Sequence, residues 1–263
     1  MDLSIVILSW NELGVLDRCL DSFYDRFDFS TGEIILIDNG STDGTLVHVN
    51  QRYPKVITYR FEHNMGVSVS RNKAVELSSG RFIMTLDNDT IIDDCHFVEA
   101  IDNHYKRYPE TGVLGFKLLN SDGSFQQSFR RFPGWIQPFA ARVEVLQKIP
   151  FFANVQNRHM MSDLDPASLE FPLVVDYMLG ANQIYRRALF DKLEGYDSKI
   201  FYGPEDFDFC MRAGRLGLVN YVSDTLSITH AYQRKTKKKF SRMTLRHFYY
   251  YYYVMMKNGV RHG

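Results

Sequence analysis

Two acids separated by a single residue, Asp87 and Asp89, follow directly on the apolar run Phe82-Ile83-Met84-Thr85-Leu86. Such a run reads as a buried strand. Strand side chains alternate, so the two carboxylates are expected on one side with Asn88 turned away. Like charges held that close repel, and a divalent cation is the natural way to offset the repulsion. Hard oxygen donors suit Mg²⁺ or Mn²⁺, which also take phosphate oxygens from a substrate. In an open α/β sheet ligands bind at the carboxyl ends of the strands, where this pair stands. The competing reading is an Asx-rich turn that closes a strand and binds nothing.

Elements that would position these acids can be read along the chain. Leu3-Ser4-Ile5-Val6-Ile7-Leu8 suits a central parallel strand, ended by Ser9-Trp10-Asn11-Glu12. Leu13, Leu16, Cys19, Leu20 and Phe23 recur at helical spacing, which predicts a helix from Leu13 to Phe27. Glu33 to Asp38 is a second buried strand, again ending in an acid. A polar loop, Asn39-Gly40-Ser41-Thr42-Asp43-Gly44-Thr45, then leads into a helix to Arg52. Val56 to Phe61 makes a third strand, Asn64-Met65-Gly66 opens a helix carrying Ser70, Arg71, Asn72 and Ala74, and the fourth strand ends at Leu86. Strands alternating with helices predict a parallel nucleotide-binding sheet. Asn11, Asp38 and the Asp87/Asp89 pair would then converge on one crevice, with acceptors for a base edge, a ribose and a metal-bound pyrophosphate. Neither a G-x-G-x-x-G fingerprint nor a P-loop is present, which excludes the common dinucleotide and P-loop classes.

Composition narrows the partners. The 263 residues hold 31 Lys plus Arg against 31 Asp plus Glu, so charge preference must come from local patches and no nucleic-acid partner is expected. Cys19, Cys95 and Cys210 are far apart and form no CxxC pair, which points to reduced thiols in a cytosolic protein. The first apolar run stops at Ser9 with no basic leader, and no stretch approaches the ~18 apolar residues of a membrane span. A protein in solution or on a surface is expected.

Downstream, Asp93-Asp94 opens a helix running to Tyr108, where the acids complement the helix dipole, and Val113 to Leu119 is a strand. Gly123, Pro133, Gly134, Pro138, Pro150 and Pro166 break the pattern from Ser121 to Pro172, which predicts a long loop with a short helix between Gln137 and Lys148. Arg130 and Arg131 could meet phosphates there, although solvated surface arginines are commoner. Val174 to Asn182 reads as one strand, in which Gly180 would let a substrate approach the backbone. Pro204 suits the first turn of a helix, and Glu205 and Asp206 sit where the dipole is positive. A strand from Leu226 ends on His230, a residue that more often packs than ligates. Arg234, Lys235, Lys237, Lys238, Lys239, Arg242 and Arg246 lead into Phe248, the five tyrosines 249–253 and Val254-Met255-Met256. As a helix this is basic, aromatic and amphipathic, suited to a membrane interface or to packing on the catalytic domain or a second subunit.

Ile5 to Asn11, Ile37 to Thr45, Asn64-Met65-Gly66 with Arg71-Asn72, and Leu86-Asp87-Asn88-Asp89, taken in order, resemble a family 2 glycosyltransferase of GT-A fold, in its bacterial rhamnosyltransferase-like subgroup. The resemblance resumes near residue 176. It implies a mainly parallel α/β sheet flanked by helices. Residues 1–232 would form the catalytic domain, with a nucleotide-sugar half to 119 and an acceptor half from 120, and residues 233–263 a C-terminal helix. It places Asp38 at the pyrimidine base, with Ser9, Asn11 and Asn39 at the same end, and Arg71 near the ribose and phosphates. Asp87 falls toward the ribose, Asn88 among the nucleotide-sugar-binding residues, Asp89 on the metal, Gly180 beneath the transferred sugar, and Glu205-Asp206 in the family's E-D motif. Because an acceptor hydroxyl must lose its proton as it attacks, Asp206 is assigned as general base, with Glu205 orienting it; Asp208 is assigned a structural role. A late histidine serves some members as a further metal ligand, which makes His230 the second metal residue and favours Mn²⁺ over Mg²⁺. Arg234 and Lys235 would screen the departing diphosphate. The implied partners are a nucleotide sugar (dTDP-rhamnose or a UDP-sugar), a glycan or lipid-linked saccharide acceptor and the inner face of the cell membrane. The alternatives are a sugar-1-phosphate nucleotidyltransferase, disfavoured by the loop after the first strand, and a non-catalytic glycan-binding scaffold, disfavoured because all five acids are present.

Overall fold

Short runs of β-branched and large apolar residues, buried on both faces, favour parallel pairing with helical crossovers. The computed structural model, which describes residues 1–138, 144–231 and 242–260, realises this in its first part. Strands β1 (Leu3–Ser9), β2 (Gly32–Asp38), β3 (Ile57–Arg60) and β4 (Phe82–Asp87) alternate with helices α1 (Leu13–Asp21), α2 (Thr45–Arg52) and α3 (Val67–Leu77). Their order is β3-β2-β1-β4, all parallel, with Ser9 in register with Asp38 and Leu8 with Asp87. The acids at the ends of β2 and β4 therefore flank the end of β1. Helix α1 stops at Asp21, short of the expected Phe27, because the chain turns through a 3₁₀ segment at Tyr24–Arg26; Phe23 and Phe27 stay buried on either side of it.

The second part extends the same sheet. It comprises β5 (Thr90–Ile92), α4 (Phe97–Arg107), β6 (Thr111–Leu119), β7 (Phe125–Gln126), β8 (Phe129–Arg130), α5 (Glu144–Gln147) and α6 (Pro150–Met160). Then follow β9 (Leu173–Val175), β10 (Tyr177–Met178), β11 (Asn182–Arg186), α7 (Arg187–Lys192), α8 (Glu205–Arg215), β12 (Val219–His230) and α9 (Arg242–Lys257). The sheet continues past β4 as β11-β6-β12-β5, with β11 antiparallel to both neighbours, β12 parallel to β6 and β5 antiparallel to β12.

Three expectations need correction. The single strand over Val174 to Asn182 is three short strands in two sheets: β9 pairs with β12, β10 with β8, and β11 with β4. The break between β9 and β10 falls at Asp176, whose carboxylate accepts the Phe132 N–H at 2.6 Å. The stretch 121–172 contains the eleven-residue α6, which starts on Pro150, where a missing N–H costs nothing. Helix α4 starts at Phe97, three residues beyond Asp94, whose side chain instead accepts the His96 N–H at 2.9 Å.

Two apolar layers cover the sheet. One face carries Ile5, Ile7, Leu36, Met84 and Leu86 against Leu16 and Leu20 of α1 and Phe97 and Ile101 of α4. The other carries Val6, Ile35, Ile83 and Tyr185 against Ala74 and Val75 of α3, Phe209 of α8 and Tyr251, Val254 and Met255 of α9. Burying each large side chain contributes roughly 1.5–3 kcal/mol. Helix α9 thus docks on this face of the sheet. Tyr251 packs on Phe207 at 5.4 Å, the Tyr252 hydroxyl donates to the Trp135 carbonyl at 2.9 Å, and Asn258 donates to Asp208 at 2.9 Å. Leu245, Tyr249 and Met256 remain exposed on it. No helix among the described residues is long and apolar enough to cross a membrane. Arg234, Lys235 and Lys237 to Lys239 lie outside the described residues.

Candidate active site

Strand β4 ends at Asp87, and the chain turns through Asn88 and Asp89 into β5. The turn is pinned on three sides. The Asp87 N–H donates to the Ala181 carbonyl at 3.1 Å, the Thr90 hydroxyl donates to the Asp87 carbonyl at 2.8 Å, and the Ala231 N–H donates to the Asp89 carbonyl at 2.9 Å. Pairing of β5 with β12 puts His230 opposite Thr90, so a histidine some 140 residues downstream arrives beside both acids. Its Nε2 lies 3.2 Å from Asp89 Oδ1 and 3.9 Å from Asp87 Oδ2. One donor atom from each of the three falls within 4.8 Å of the others. Burial opposes a charge on His230, but the hydrogen bond to Asp89 and the charge of Asp87 raise its pKa above the ordinary value. Two carboxylates and an imidazole fit a divalent cation of the Mn²⁺ type. The juxtaposition of Asp87 with Asp89, expected from strand alternation, is produced by this turn instead, and it brings both acids within reach of His230.

Arg71, on the first turns of α3, is 4% exposed. Its guanidinium donates to the Gly180 carbonyl at 2.8 Å and to Glu205 at 3.3 Å, lies 3.8 Å from Asp87, and sits 5.5 Å from the centre of the Tyr196 ring. A Cβ at Gly180 would lie 2.5 Å from Arg71 Nη2, so any side chain there would have to displace the buried guanidinium. Arg71 therefore joins the two acid groups.

Glu205 and Asp206 open α8, each less than a tenth exposed. Glu205 accepts the Gly203 N–H at 2.8 Å as well as Arg71; Asp206 accepts the Gly180 N–H at 3.2 Å and the Phe207 N–H at 2.7 Å. Burial, and next the charge of Glu205, push the Asp206 carboxyl up to about 8. Burial also raises Glu205, against the pull of Arg71. A buried acid with a pKa near the working pH is suited to take a proton from a substrate hydroxyl. Asp208, two residues on, is fully buried and bound by Arg212 at 2.8 Å and Asn258 at 2.9 Å.

At the end of β2 Asp38, 1% exposed, accepts the Ser41 N–H at 2.8 Å and lies 3.4 Å from Arg60 Nε. Ser9 Oγ beside it is buried with no hydrogen-bond partner among the described residues. Three asparagines expected in this half have internal partners. Asn11 Oδ1 accepts the Thr42 N–H at 2.8 Å, Asn39 Oδ1 accepts the Met65 N–H at 2.8 Å, and Asn88 donates to Glu12 at 3.2 Å. They fasten the loops that carry the acids. Arg131 is forked on Asp163 at 2.7 and 2.9 Å, and Arg130 donates to the Gln127 and Phe129 carbonyls.

Sequence reasoning passed over Tyr196, under the Arg71 guanidinium, and Gln126, whose Oε1 lies 2.7 Å from His230 Nδ1. The signal for the second was the turn Asn120-Ser121-Asp122-Gly123-Ser124, a hairpin sequence that folds β7 back on β6.

Comparison with known proteins bears on the family and the fold. N-acetylglucosaminyl-diphospho-decaprenol L-rhamnosyltransferase of Mycobacterium tuberculosis is 27% identical over 209 residues, covering 75% of this chain and 66% of the relative. The fold is shared with S. aureus TarS 1-349 in complex with UDP-GlcNAc, at a TM-score of 0.60 and 19% identity over 99% of this chain and 66% of that one. It is shared as well with mannosyltransferase PcManGT from Pyrobaculum calidifontis in complex with GDP-Man and Mn²⁺, at 0.58 and 14% over 97% and 70%. The chain thus spans about two thirds of these proteins, and its fold is GT-A. The model of Glycosyl transferase family 2 matches residues 4–193, from the start of β1 past β11 and through the turn that carries Asp87 and Asp89, and the chain belongs to that family.

Proposed function

We propose that the protein transfers a sugar, with inversion, from a nucleotide-diphosphate donor to a hydroxyl of a glycan or lipid-linked saccharide acceptor in cell-surface polysaccharide synthesis. The observation that carries this reading is the link through one guanidinium: Arg71 lies 3.8 Å from Asp87 of the metal-ligand group and 3.3 Å from Glu205 of the buried acid pair. Leaving-group and nucleophile chemistry are thereby neighbours across one side chain.

Asp89 and His230, with Asp87 beside them, would hold a divalent cation, Mn²⁺ in preference to Mg²⁺. When bound it supplies positive charge to the donor diphosphate. Asp38, with Ser9 at its side, binds the base of the nucleotide, and Asn11, Asn39 and Asn88 shape that end. Asp206 takes the proton of the acceptor hydroxyl as that oxygen attacks the anomeric carbon from the face opposite the diphosphate. Glu205, held by Arg71 and the Gly203 N–H, keeps the base in place. dTDP-rhamnose is the first donor to test, because the mycobacterial relative is an L-rhamnosyltransferase; UDP-sugars come next.

The exposed edge of α9, with Leu245, Tyr249 and Met256, together with the basic run that precedes it, supports contact with the inner face of the cell membrane, where a lipid-linked acceptor would lie. The test is release of nucleoside diphosphate from a panel of nucleotide sugars with and without lipid-linked acceptor. Asp206→Asn should retain donor binding and lose transfer. An Asp206→Asn protein that transfers at the wild-type rate removes the base assignment.

A further inference from the structure

The Gln126 amide makes three contacts that fix which way round it sits. Its Nε2 donates to the His230 main-chain carbonyl at 3.1 Å and to Asn120 Oδ1 at 2.9 Å, which leaves Oε1 facing His230 Nδ1 at 2.7 Å. A flipped amide would set its oxygen against two acceptor oxygens. Asn120 is fixed in the same manner, because its own Nδ2 donates to the Phe125 carbonyl at 3.4 Å and to Ser124 Oγ at 2.9 Å. The whole device is built on the β6–β7 hairpin, closed by the Ser124 carbonyl on the Asn120 N–H at 2.8 Å with Gly123 at φ 79°. A carbonyl oxygen cannot donate, so His230 Nδ1 must carry a proton and donate it to Gln126. The ring's other nitrogen, Nε2, is the one turned to Asp87 and Asp89.

We infer that Gln126 is a positioning residue for the metal site: by accepting the Nδ1 proton it fixes the His230 tautomer and ring plane so that the Nε2 lone pair serves as ligand to a divalent cation. The inference rests on the reading of Asp89 and His230 as metal ligands. An acceptor on the second ring nitrogen of a ligating histidine orients the ring and raises its basicity, and losing one typically costs about 10–100-fold in metal affinity.

The test measures Mn²⁺ binding to the purified protein, with no nucleotide present, from the electron paramagnetic resonance signal of free Mn²⁺. Gln126→Met keeps the length of the side chain and removes the acceptor; it should weaken Mn²⁺ binding about 10–100-fold. Gln126→Glu keeps an acceptor on Nδ1 but loses both donated bonds, and should bind Mn²⁺ within a few-fold of wild type. If Gln126 were only hairpin glue, the two variants would fall together, and that outcome overturns the inference. Wild-type affinity in Gln126→Met, alongside weak binding by His230→Ala, overturns the inference and leaves the metal site standing. No Mn²⁺ binding by the wild type, or unchanged binding by His230→Ala, overturns the metal reading and the inference with it. Should Gln126→Met fail to fold, long-range proton–nitrogen NMR of Mg²⁺-loaded wild type decides. The proton is expected on His230 Nδ1, and a proton on Nε2 overturns the proposal.

Discussion

The pH dependence of transfer follows from the burial of Asp206. Its carboxyl lies at about 8 against an ordinary 3.8, raised by burial and then by Glu205. A general base works only when ionised, so about a tenth of the enzyme is competent at pH 7 and about half at pH 8. kcat/KM should therefore rise close to tenfold from pH 6 to 7, severalfold more to pH 8, and level off near pH 9. The limb belongs to the Glu205/Asp206 pair, since the two share one buried site. Initial rates of nucleoside diphosphate release at saturating Mn²⁺, across buffers of constant ionic strength, provide the curve. A flat profile from pH 6 to 9, or a limb near pH 4 to 5, would refute the assignment of a buried, raised Asp206 as base.

Stability should follow the opposite course. Between about pH 4 and about pH 8 the native Asp206 holds a proton that the unfolded chain has released, so the native state binds more protons and stability falls as pH rises through that window. Asp206→Asn abolishes the term while keeping an oxygen for the Gly180 or Phe207 N–H. The variant should match wild type in melting temperature near pH 4 and gain on it steadily toward pH 8, while losing about 10²–10⁴-fold in transfer. A gain that is constant across pH, measured by thermal denaturation, contradicts the linkage.

Donor nucleotide should raise the melting temperature by the equivalent of about 2.7 kcal/mol at a hundredfold excess over Kd, and EDTA should abolish the gain until Mn²⁺ is restored. Stabilisation indifferent to chelation counts against Asp89 as a ligand. Arg71→Met strands the buried Glu205 and should cost on the order of 3–5 kcal/mol in urea denaturation, with the acidic limb of the rate profile moved to higher pH in whatever folds. An Arg71→Met protein of wild-type stability refutes the pairing. Gly180→Ala puts a methyl group 2.5 Å from Arg71 Nη2 and should lower transfer at least tenfold while circular dichroism stays native. Wild-type turnover would mean that Arg71 can sit elsewhere. Asn258→Ala removes a donor from the buried Asp208 and should destabilise by about 1–3 kcal/mol, read as a shift in urea midpoint.

The half of the site that lies in the parallel sheet was legible because its signals are local. An apolar run ending in Asp fixes both a strand and the carboxyl end where ligands gather, and Asp38 and Asp87 each announce themselves in that way. His230 was legible only through family resemblance, because its approach to Asp89 depends on β5 reversing to pair with β12, a contact between segments 140 residues apart with no local mark. Periodicity failed at Val174 to Asn182 because an apolar stretch does not say which strand it will pair with, and three partners compete for it. The internal partners of the asparagines were illegible for a related reason. Asn11 Oδ1, Asn39 Oδ1 and Asn88 Nδ2 each meet a neighbouring backbone or side-chain group, and a sequence does not record which way an amide is turned.

A two-residue backbone segment explains how acids from separate elements can act together. The Gly180 carbonyl accepts both Arg71 and the Thr85 hydroxyl, the Gly180 N–H reaches Asp206, and the Ala181 carbonyl holds the Asp87 N–H. The end of β4, the start of α3 and the first turn of α8 are thus all referenced to three successive peptide planes. A shift of the 180–181 backbone would move the donor turn and the base together, preserving their separation, whereas a shift of α8 alone is resisted by Arg71 pulling on Glu205 and by Asn258 and Lys257 of the C-terminal segment pulling on Asp208. Under the proposed mechanism, docking of α9 would therefore help to aim Asp206, even though none of the residues described on that helix is among the acids that mechanism uses.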